Sequence, residues 1–91
     1  IMPRADGHVL VLPKAACRNV LDAPSEALQA VALTTQRMAR AVKAAFAADG
    51  VTIQQFNEAA GGQVGFHLHV HVMPRQDGVA LRPHPRAMAD A

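Results

Sequence analysis

Residues 66–73 are the stretch of this chain in which apolar and polar side chains alternate most strictly. They read Phe-His-Leu-His-Val-His-Val-Met, so His67, His69 and His71 occupy every second position. Because successive side chains of a β-strand point to opposite faces, the pattern predicts a strand with three histidines on one face and a buried apolar face opposite. The histidines of such a strand stand about 6.6–6.8 Å apart, so one polar ligand can contact two or three of them.

A long amphipathic helix is predicted over Ser25–Ala48. Apolar residues recur three or four positions apart through this segment, and most of the charged residues lie off that stripe. Pro24 suits a first helical turn, and either Asp22 or Ser25 can cap it. We expect Asp49-Gly50 to end the helix, because glycine accepts the left-handed conformation that a helix terminus often needs.

Two further strands are predicted from short apolar runs, His8–Pro13 and Val51–Phe56. A glycine-containing loop, residues 57–63, then leads to the histidine strand, which favours an antiparallel hairpin. We expect Pro74 to end that strand and residues 76–91, rich in Pro, Arg and Ala, to form an irregular tail. This order of elements predicts an α+β domain, with an antiparallel sheet and one long helix.

Size and charge narrow the choice of function. The 91 residues contain three aromatic side chains, all Phe, and predict a single domain, residues 1–91, whose small core a second copy completes as a homodimer. The net charge of +2 favours anionic ligands, but no Lys/Arg cluster predicts a nucleic-acid partner. Without a long apolar run, a signal-peptide pattern or a second cysteine beside Cys17, we expect a cytoplasmic protein with no membrane partner.

Three interpretations of the histidine face are open. One is a solvated surface, and another is a zinc or copper site, because His-x-His on a strand can chelate either metal. The nearest acids to such a site, Glu58 and Asp77, lie in flanking loops at no telling spacing. The third is phosphate chemistry, in which a neutral imidazole attacks phosphorus and its neighbours donate hydrogen bonds or protonate a leaving group.

Three blocks of sequence carry a family resemblance. Residues 67–75 read His-x-His-x-His, two apolar residues and Pro-Arg; Gly7–Lys14 reads Gly-His-Val-Leu-Val-Leu-Pro-Lys; and Asn57–Gln63 is an Asn/Gly-rich loop that ends in Gly-Gln. In order and spacing they resemble the histidine triad (HIT) family of nucleotide hydrolases and transferases. The resemblance implies a HIT-like, dimerising fold. It also implies that the family segment before the Gly-His block has no counterpart in residues 1–91.

The resemblance assigns a role to each matching position. It implies that the middle histidine is the nucleophile that becomes covalently nucleotidylated, that the outer two orient it and contact phosphates, and that a fourth histidine packs nearby. It places two polar loop residues near the sugar and phosphates, and it puts Val where the family often has a Ser or Thr that meets the leaving group. The middle histidine is His69, the outer two are His67 and His71, and the fourth is His8. The two polar loop residues are Asn57 and Gln63, and the valine is Val64.

The implied reaction is hydrolysis of a phosphoanhydride or phosphoramidate bond next to a nucleoside monophosphate, without a metal or other cofactor. The transferase branch commonly has Gln at the third histidine position, so His71 favours a hydrolase. Val64 and Phe56 depart from the polar residues usual in the family, which keeps a weakly active nucleotide-binding module as an alternative, beside a metal-binding histidine cluster. Cys17 is interpreted as a small packed residue and His84 as an exposed histidine, and Arg75 either as a solvated arginine or as a phosphate contact.

Overall fold

The computed structural model describes residues 4–82, which form a three-stranded antiparallel sheet and one long helix. The elements are β1 (Val9–Val11), α1 (Ser25–Ala45), β2 (Gly50–Gln54), a 3-10 turn (Ala59–Gly61) and β3 (Val70–Arg75). The order across the sheet is β1-β3-β2, so β3 lies in the centre and pairs antiparallel with both neighbours. The chain therefore forms the α+β arrangement that its sequence predicts.

Helix α1 begins at the predicted residue, but its cap is not the predicted one. Pro24 stands in the N-cap position and offers no side-chain hydrogen bond. The carboxylate of Asp22 instead accepts hydrogen bonds from the backbone N–H groups of Arg18 and Asn19, at 2.9–3.1 Å. These bonds, from Asn19 first and then Arg18, lower the pKa of Asp22. Asp22 thus caps the turn before the helix rather than the helix itself.

The end of α1 at Ala45 corrects the prediction of Ala48. Ala47 takes a left-handed conformation with φ 48°, and its N–H and that of Ala48 donate to the carbonyls of Ala44 and Lys43. This pair of bonds is a Schellman-type terminus in which alanine stands where glycine is usual. Gly50, expected to stop the helix, is the first residue of β2.

The hydrophobic core lies between α1 and one face of the sheet. Its buried residues are Val11, Val70 and Val72 from the sheet and Val31 and Val42 from α1. Because side chains alternate along a strand, His71 points to the opposite face of β3 from its neighbours Val70 and Val72. The helix therefore covers the apolar face and leaves the histidine-bearing face for other groups.

Strand β3 is displaced from the predicted strand Phe66–Met73. The part of the sheet on the β1 side is short, because β1 pairs only with Val70–Val72. Leu68 donates its N–H to the carbonyl of Cys17 in a loop, and Phe66, expected in the core, is 50% exposed. At the other end, Pro74 does not stop the strand. Beyond Val72, β3 has a neighbouring strand on the β2 side only, so the missing N–H of Pro74 interrupts no pairing on its other side.

Residues 76–82 contain no helix or strand. The remainder of the predicted tail, with His84, lies outside the described residues. Arg82 donates its backbone N–H to the carbonyl of Arg4, which brings the two ends of the described segment together. Among residues 4–82, no helix is long and apolar enough to cross a membrane.

Candidate active site

Three histidine rings and one phenylalanine ring gather on the face of the sheet opposite α1. His71 is the hub: it lies on the central strand, is 6% exposed, and stands opposite Leu10 of β1 and Gln54 of β2. The ring centroids of His8 and His69 lie 5.0 and 5.1 Å from that of His71, and the Phe56 ring meets it edge-on at 5.7 Å. The sheet therefore brings His8, His69 and His71 together.

A chain of hydrogen bonds determines which ring nitrogen of His8 carries the hydrogen. The backbone N–H of Arg4 points at His8 Nδ1 at 3.0 Å, so Nδ1 is an acceptor and a neutral His8 carries its hydrogen on Nε2. That Nε2–H lies 2.8 Å from His71 Nδ1, to which it donates. Burial first, and then the positive charges of Arg4 and Arg82, lower the pKa of His8, which favours this neutral form. His71 in turn carries its own hydrogen on Nε2.

His69 is held by the backbone of the triad segment itself. Its Nδ1 lies 2.7 Å from the carbonyl oxygen of His67, and a carbonyl can only accept, so Nδ1 carries the hydrogen. In the neutral ring Nε2 then has the lone pair. A Cβ built on Gly65 comes within 3.7 Å of His69 Cε1, so the loop backbone passes close to the ring. The arrangement presents a nucleophilic nitrogen beside the buried His71.

The expectation that three histidines lie in one strand and share its face is wrong for His67 on both points, and for His69 only in that it lies outside the strand. Only His71 lies in β3, since the strand begins at Val70. His69 reaches the site from the residue before the strand, and the exposed His67 turns towards β1, where its Nε2 lies 3.3 Å from the carbonyl of Pro13. The regular spacing of a strand therefore does not describe the triad, and His67 is apart from the His8–His71–His69 group.

Gln63 organises the loop beside the site. It is 3% exposed, and its amide NH₂ donates to the carbonyls of Arg18 (2.7 Å) and Gly65 (2.9 Å). Its carbonyl oxygen accepts from Asn19 Nδ2 (3.0 Å) and from the N–H of Glu58 (2.9 Å). Since all four hydrogen-bonding positions are used within the chain, Gln63 acts on the site through the loop that it holds.

Asn57 has a similar place. Its side-chain oxygen accepts from the N–H of Val20 and from Gln55 Nε2, both at 2.9 Å, and its NH₂ donates to Gln55 Oε1 at 2.8 Å. The two amides form a reciprocal pair next to the 3-10 turn. Direct contact of Asn57 or Gln63 with a substrate stays a prediction. Gln63 would have to give up one of its four bonds, whereas these bonds use only one of the two amide hydrogens of Asn57.

Comparisons with known proteins establish the family to which this chain belongs. A model described as the HIT domain matches residues 1–78. The chain belongs to the HIT domain family. An uncharacterised HIT-like protein of Mycobacterium tuberculosis is 41% identical over 81 residues, covering 89% of this chain and 56% of that protein. A Dictyostelium discoideum protein named bis(5'-adenosyl)-triphosphatase is 34% identical over 76 residues, covering 84% of this chain and 51% of that protein.

Solved structures confirm the HIT fold. A HIT-like protein from Bartonella henselae superposes with a TM-score of 0.89 and 54% identity, covering 92% of this chain and 62% of that one. A Zn-bound histidine triad family protein from Mycobacterium smegmatis does so with a TM-score of 0.83 and 39% identity, covering 93% and 63%. The chain spans about half the length of the curated relatives that it matches.

The two departures from the HIT pattern lie on different sides of the site. Phe56 packs its ring edge against His71, which adds an apolar wall to the buried hub. Val64 is 50% exposed and directly precedes Gly65, the residue whose backbone passes His69. Its exposure and position are compatible with contact to a ligand at His69.

Sequence reasoning missed Arg4 and Gln54. The side chain of Arg4 donates a hydrogen bond from Nη1 to Gln54 Oε1 at 2.6 Å, and Gln54 stands opposite His71 on the neighbouring strand. Neither residue belongs to a recognisable motif, and their proximity depends on how the segment before β1 folds over the sheet. Arg75, interpreted as solvated or as a phosphate contact, donates to Thr52 Oγ1 and to the carbonyl of Val79, and Cys17 is a buried packing residue as expected.

Proposed function

We propose that this chain is a nucleotide hydrolase that cleaves a phosphoanhydride or phosphoramidate bond next to a nucleoside monophosphate. The observation that carries the proposal is the 2.7 Å hydrogen bond from His69 Nδ1 to the carbonyl of His67, which leaves the lone pair on Nε2. An uncharged imidazole nitrogen of this kind is a good nucleophile near neutral pH. Membership of the HIT family, and a relative named as a triphosphatase, support the same reaction class.

The reaction proceeds in two displacements. In the first, His69 Nε2 forms a bond to phosphorus while the bond from phosphorus to the leaving oxygen or nitrogen breaks, and a neighbouring imidazolium gives the leaving group a proton and becomes a neutral imidazole. In the second, water attacks the same phosphorus, its proton returns to that imidazole, and the P–Nε2 bond breaks. The products are the nucleoside monophosphate and the protonated leaving group, and the enzyme is regenerated.

His71 and His67 have unequal parts in this scheme. His71 carries a hydrogen on Nε2 because His8 donates to its Nδ1, so it can donate to a phosphoryl oxygen. His67 is exposed, and its 3.3 Å contact with the carbonyl of Pro13 is long for a hydrogen bond and easily exchanged. We assign His71 to the phosphate and His67 to the leaving group.

The test is intact mass spectrometry after brief incubation with a panel of nucleoside phosphoramidates and dinucleoside polyphosphates. We expect the wild-type protein to gain the mass of one nucleoside monophosphate, and His69→Ala to show neither the adduct nor turnover, a loss of several orders of magnitude. Arg37→Ala, which removes an exposed arginine on α1, is the matched control and should form the adduct as the wild type does. His67→Ala keeps the nucleophile and removes the group assigned to the leaving group, so it should form the adduct more slowly. Near wild-type turnover by His69→Ala would contradict the assignment, and binding without adduct or product would favour a nucleotide-binding module.

A metal-binding histidine cluster is the second candidate, favoured by the Zn-bound relative from Mycobacterium smegmatis. The two functions separate in a chelation experiment, because a zinc-dependent enzyme loses activity when stripped and regains it when zinc is added. We expect turnover to survive chelation. Stoichiometric zinc measured by elemental analysis, with activity that follows its content, would reverse this ranking.

The proposed assembly is a homodimer. Within residues 4–82, β2 is an edge strand of the sheet, and an apolar groove beside it contains Leu28 and Ala32 of α1 and Ile53 of β2, which is 51% exposed. A second copy could bury this groove. Light scattering at micromolar concentration is expected to give twice the chain mass, and a strictly monomeric mass contradicts the assembly. The cytoplasmic location and the absence of nucleic-acid and membrane partners stay predictions.

A further inference from the structure

Arg4 joins three separate parts of the chain beside the histidine hub. Its backbone N–H donates to His8 Nδ1 at 3.0 Å, and its side chain donates from Nη1 to Gln54 Oε1 at 2.6 Å and from Nε to the carbonyl of Arg82 at 2.8 Å. We propose that Arg4 is a positioning residue, which fixes the tautomer of His8 and, through His8, the hydrogen that His71 presents to a substrate. The proposal rests on the proposed function, in which His71 assists His69.

The first part of the argument is how firmly Arg4 is held. Arg82 donates its backbone N–H to the carbonyl of Arg4 at 2.9 Å and accepts from Arg4 Nε in return, so the two residues clasp each other. The accompanying ion pair of Arg82 with Asp6, at 3.3 Å, is solvent-exposed and adds little. We call these contacts of Arg4 with Arg82 the clasp. It fixes the backbone of residue 4, and therefore the direction of its N–H.

The second part is the tie to the sheet. Gln54 is the last residue of β2 and stands opposite His71 in the β2–β3 register. By bonding to Gln54, the Arg4 guanidinium is fixed to the same face of the sheet that carries the histidine hub. The segment before β1 then closes in a turn, in which His8 donates its N–H to the carbonyl of Ala5 at 3.2 Å. The Arg4 N–H and His8 ring are thus held in register by contacts at both ends.

The third part is what happens at the His8 ring when the Arg4 side chain no longer holds the backbone N–H of residue 4 in place. An imidazole whose Nδ1 has no fixed donor can carry its hydrogen on either nitrogen, and in one of these tautomers Nε2 cannot donate to His71. The arginine charges around His8 also favour its neutral form. Arg4 and Asp6 lie on its own segment, Arg82 on the clasp, and the titratable His71 on β3, and the two arginine charges oppose protonation of the ring. Removing Arg4 therefore loosens both the tautomer and the neutral state of His8.

The test reads the tautomer directly by long-range proton–nitrogen correlation NMR of the imidazole rings. In the wild type we expect His8 to be protonated on Nε2 alone at pH 7.5. In Arg4→Ala we expect a mixture of tautomers, titration of His8 at higher pH, and an acid limb of the kcat/KM profile that moves up with it. Because a misplaced donor acts mainly on the reaction step, kcat should fall about 10- to 100-fold with a smaller change in KM.

Three further variants keep the outcome interpretable. Arg37→Ala removes an exposed arginine on α1 and should match the wild type in every readout. Arg4→Lys keeps the charge but lacks the separate Nε and Nη1 donors with which Arg4 bonds Arg82 and Gln54, so it should restore the titration and leave the tautomers mixed. Gln54→Ala cuts only the tie to the sheet and should give a smaller effect of the same kind if Arg4→Ala does not fold.

An unchanged His8 tautomer and titration in folded Arg4→Ala or Gln54→Ala would overturn the proposal. The NMR readout needs no turnover, so the two proposals can fail separately. A wild type that is inactive on every nucleotide, but whose His8 tautomer depends on Arg4, would remove the hydrolase assignment and leave the positioning of His8 intact.

Discussion

Two glycines with nearly the same positive φ allow a controlled measurement of how tightly the segment before β1 packs. Gly7 has φ +80° and Gly78 has φ +79°. A Cβ at Gly7 would lie 2.5–2.9 Å from three carbon atoms of the Phe46 ring, whereas a Cβ at Gly78 meets nothing within 4 Å. Gly7→Ala and Gly78→Ala therefore share the backbone strain and differ in one steric contact.

The expected magnitudes follow from these two terms. A left-handed conformation costs an alanine about 1–2 kcal/mol, which both variants pay. Overpacking against Phe46 adds about 1–3 kcal/mol, towards the lower end because this ring is 45% exposed and can swing into solvent. Gly78→Ala should thus lower the free energy of unfolding by about 1–2 kcal/mol, and Gly7→Ala by about 2–5 kcal/mol. For a chain of this size, 1 kcal/mol corresponds to a change in Tm of about 4–8 °C.

The assay is urea denaturation of both variants, repeated in a Phe46→Ala background. Removing the ring should reduce the cost of Gly7→Ala to that of Gly78→Ala and leave Gly78→Ala unchanged. Equal losses for the two variants in the wild-type background would show that Phe46 does not pack on Gly7 in solution. An excess loss for Gly7→Ala that persists without Phe46 would place its origin elsewhere in the turn.

Three further predictions concern the site. Gln63→Ala should lower the free energy of unfolding by about 2–4 kcal/mol, since it removes the partner of four groups, among them the buried Asn19 amide, and urea denaturation should show a smaller loss for Gln55→Ala. The lowered pKa of His8 means that the unfolded chain takes up this proton first, so stability should be level above about pH 6.5 and fall as the pH decreases below it; a His8→Gln variant with the same pH dependence would refute this. Val64→Thr should raise kcat about 10- to 100-fold on substrates with poor leaving groups and little on good ones, and equal rates on both would mean that residue 64 only packs.

The fold was predictable wherever a pattern has one physical cause. The apolar stripe of α1 specifies both the helix and the face that meets the sheet, and Ser25 is its first residue as expected. The end of α1 was not predictable, because Ala47 adopts the left-handed conformation at a position where glycine is usual. The prediction of the histidine strand was wrong for its first half, because β3 begins only at Val70. Alternation shows which side chains can share a face, but pairing needs a neighbour, and β1 reaches only as far as Val70.

The candidate site differs from its prediction in which atoms do the positioning. Sequence reasoning assigned roles to side chains, and three of those histidines do meet, yet the groups that fix two of their tautomers are the backbone N–H of Arg4 and the carbonyl of His67. Such groups belong to every residue type, so no motif records them. A catalytic imidazole is usually oriented by a carboxylate or a backbone carbonyl that accepts from its second ring nitrogen. Here backbone groups orient His8 and His69, which explains why Arg4, a residue outside any recognisable motif, bears on the chemistry of a buried histidine on the central strand.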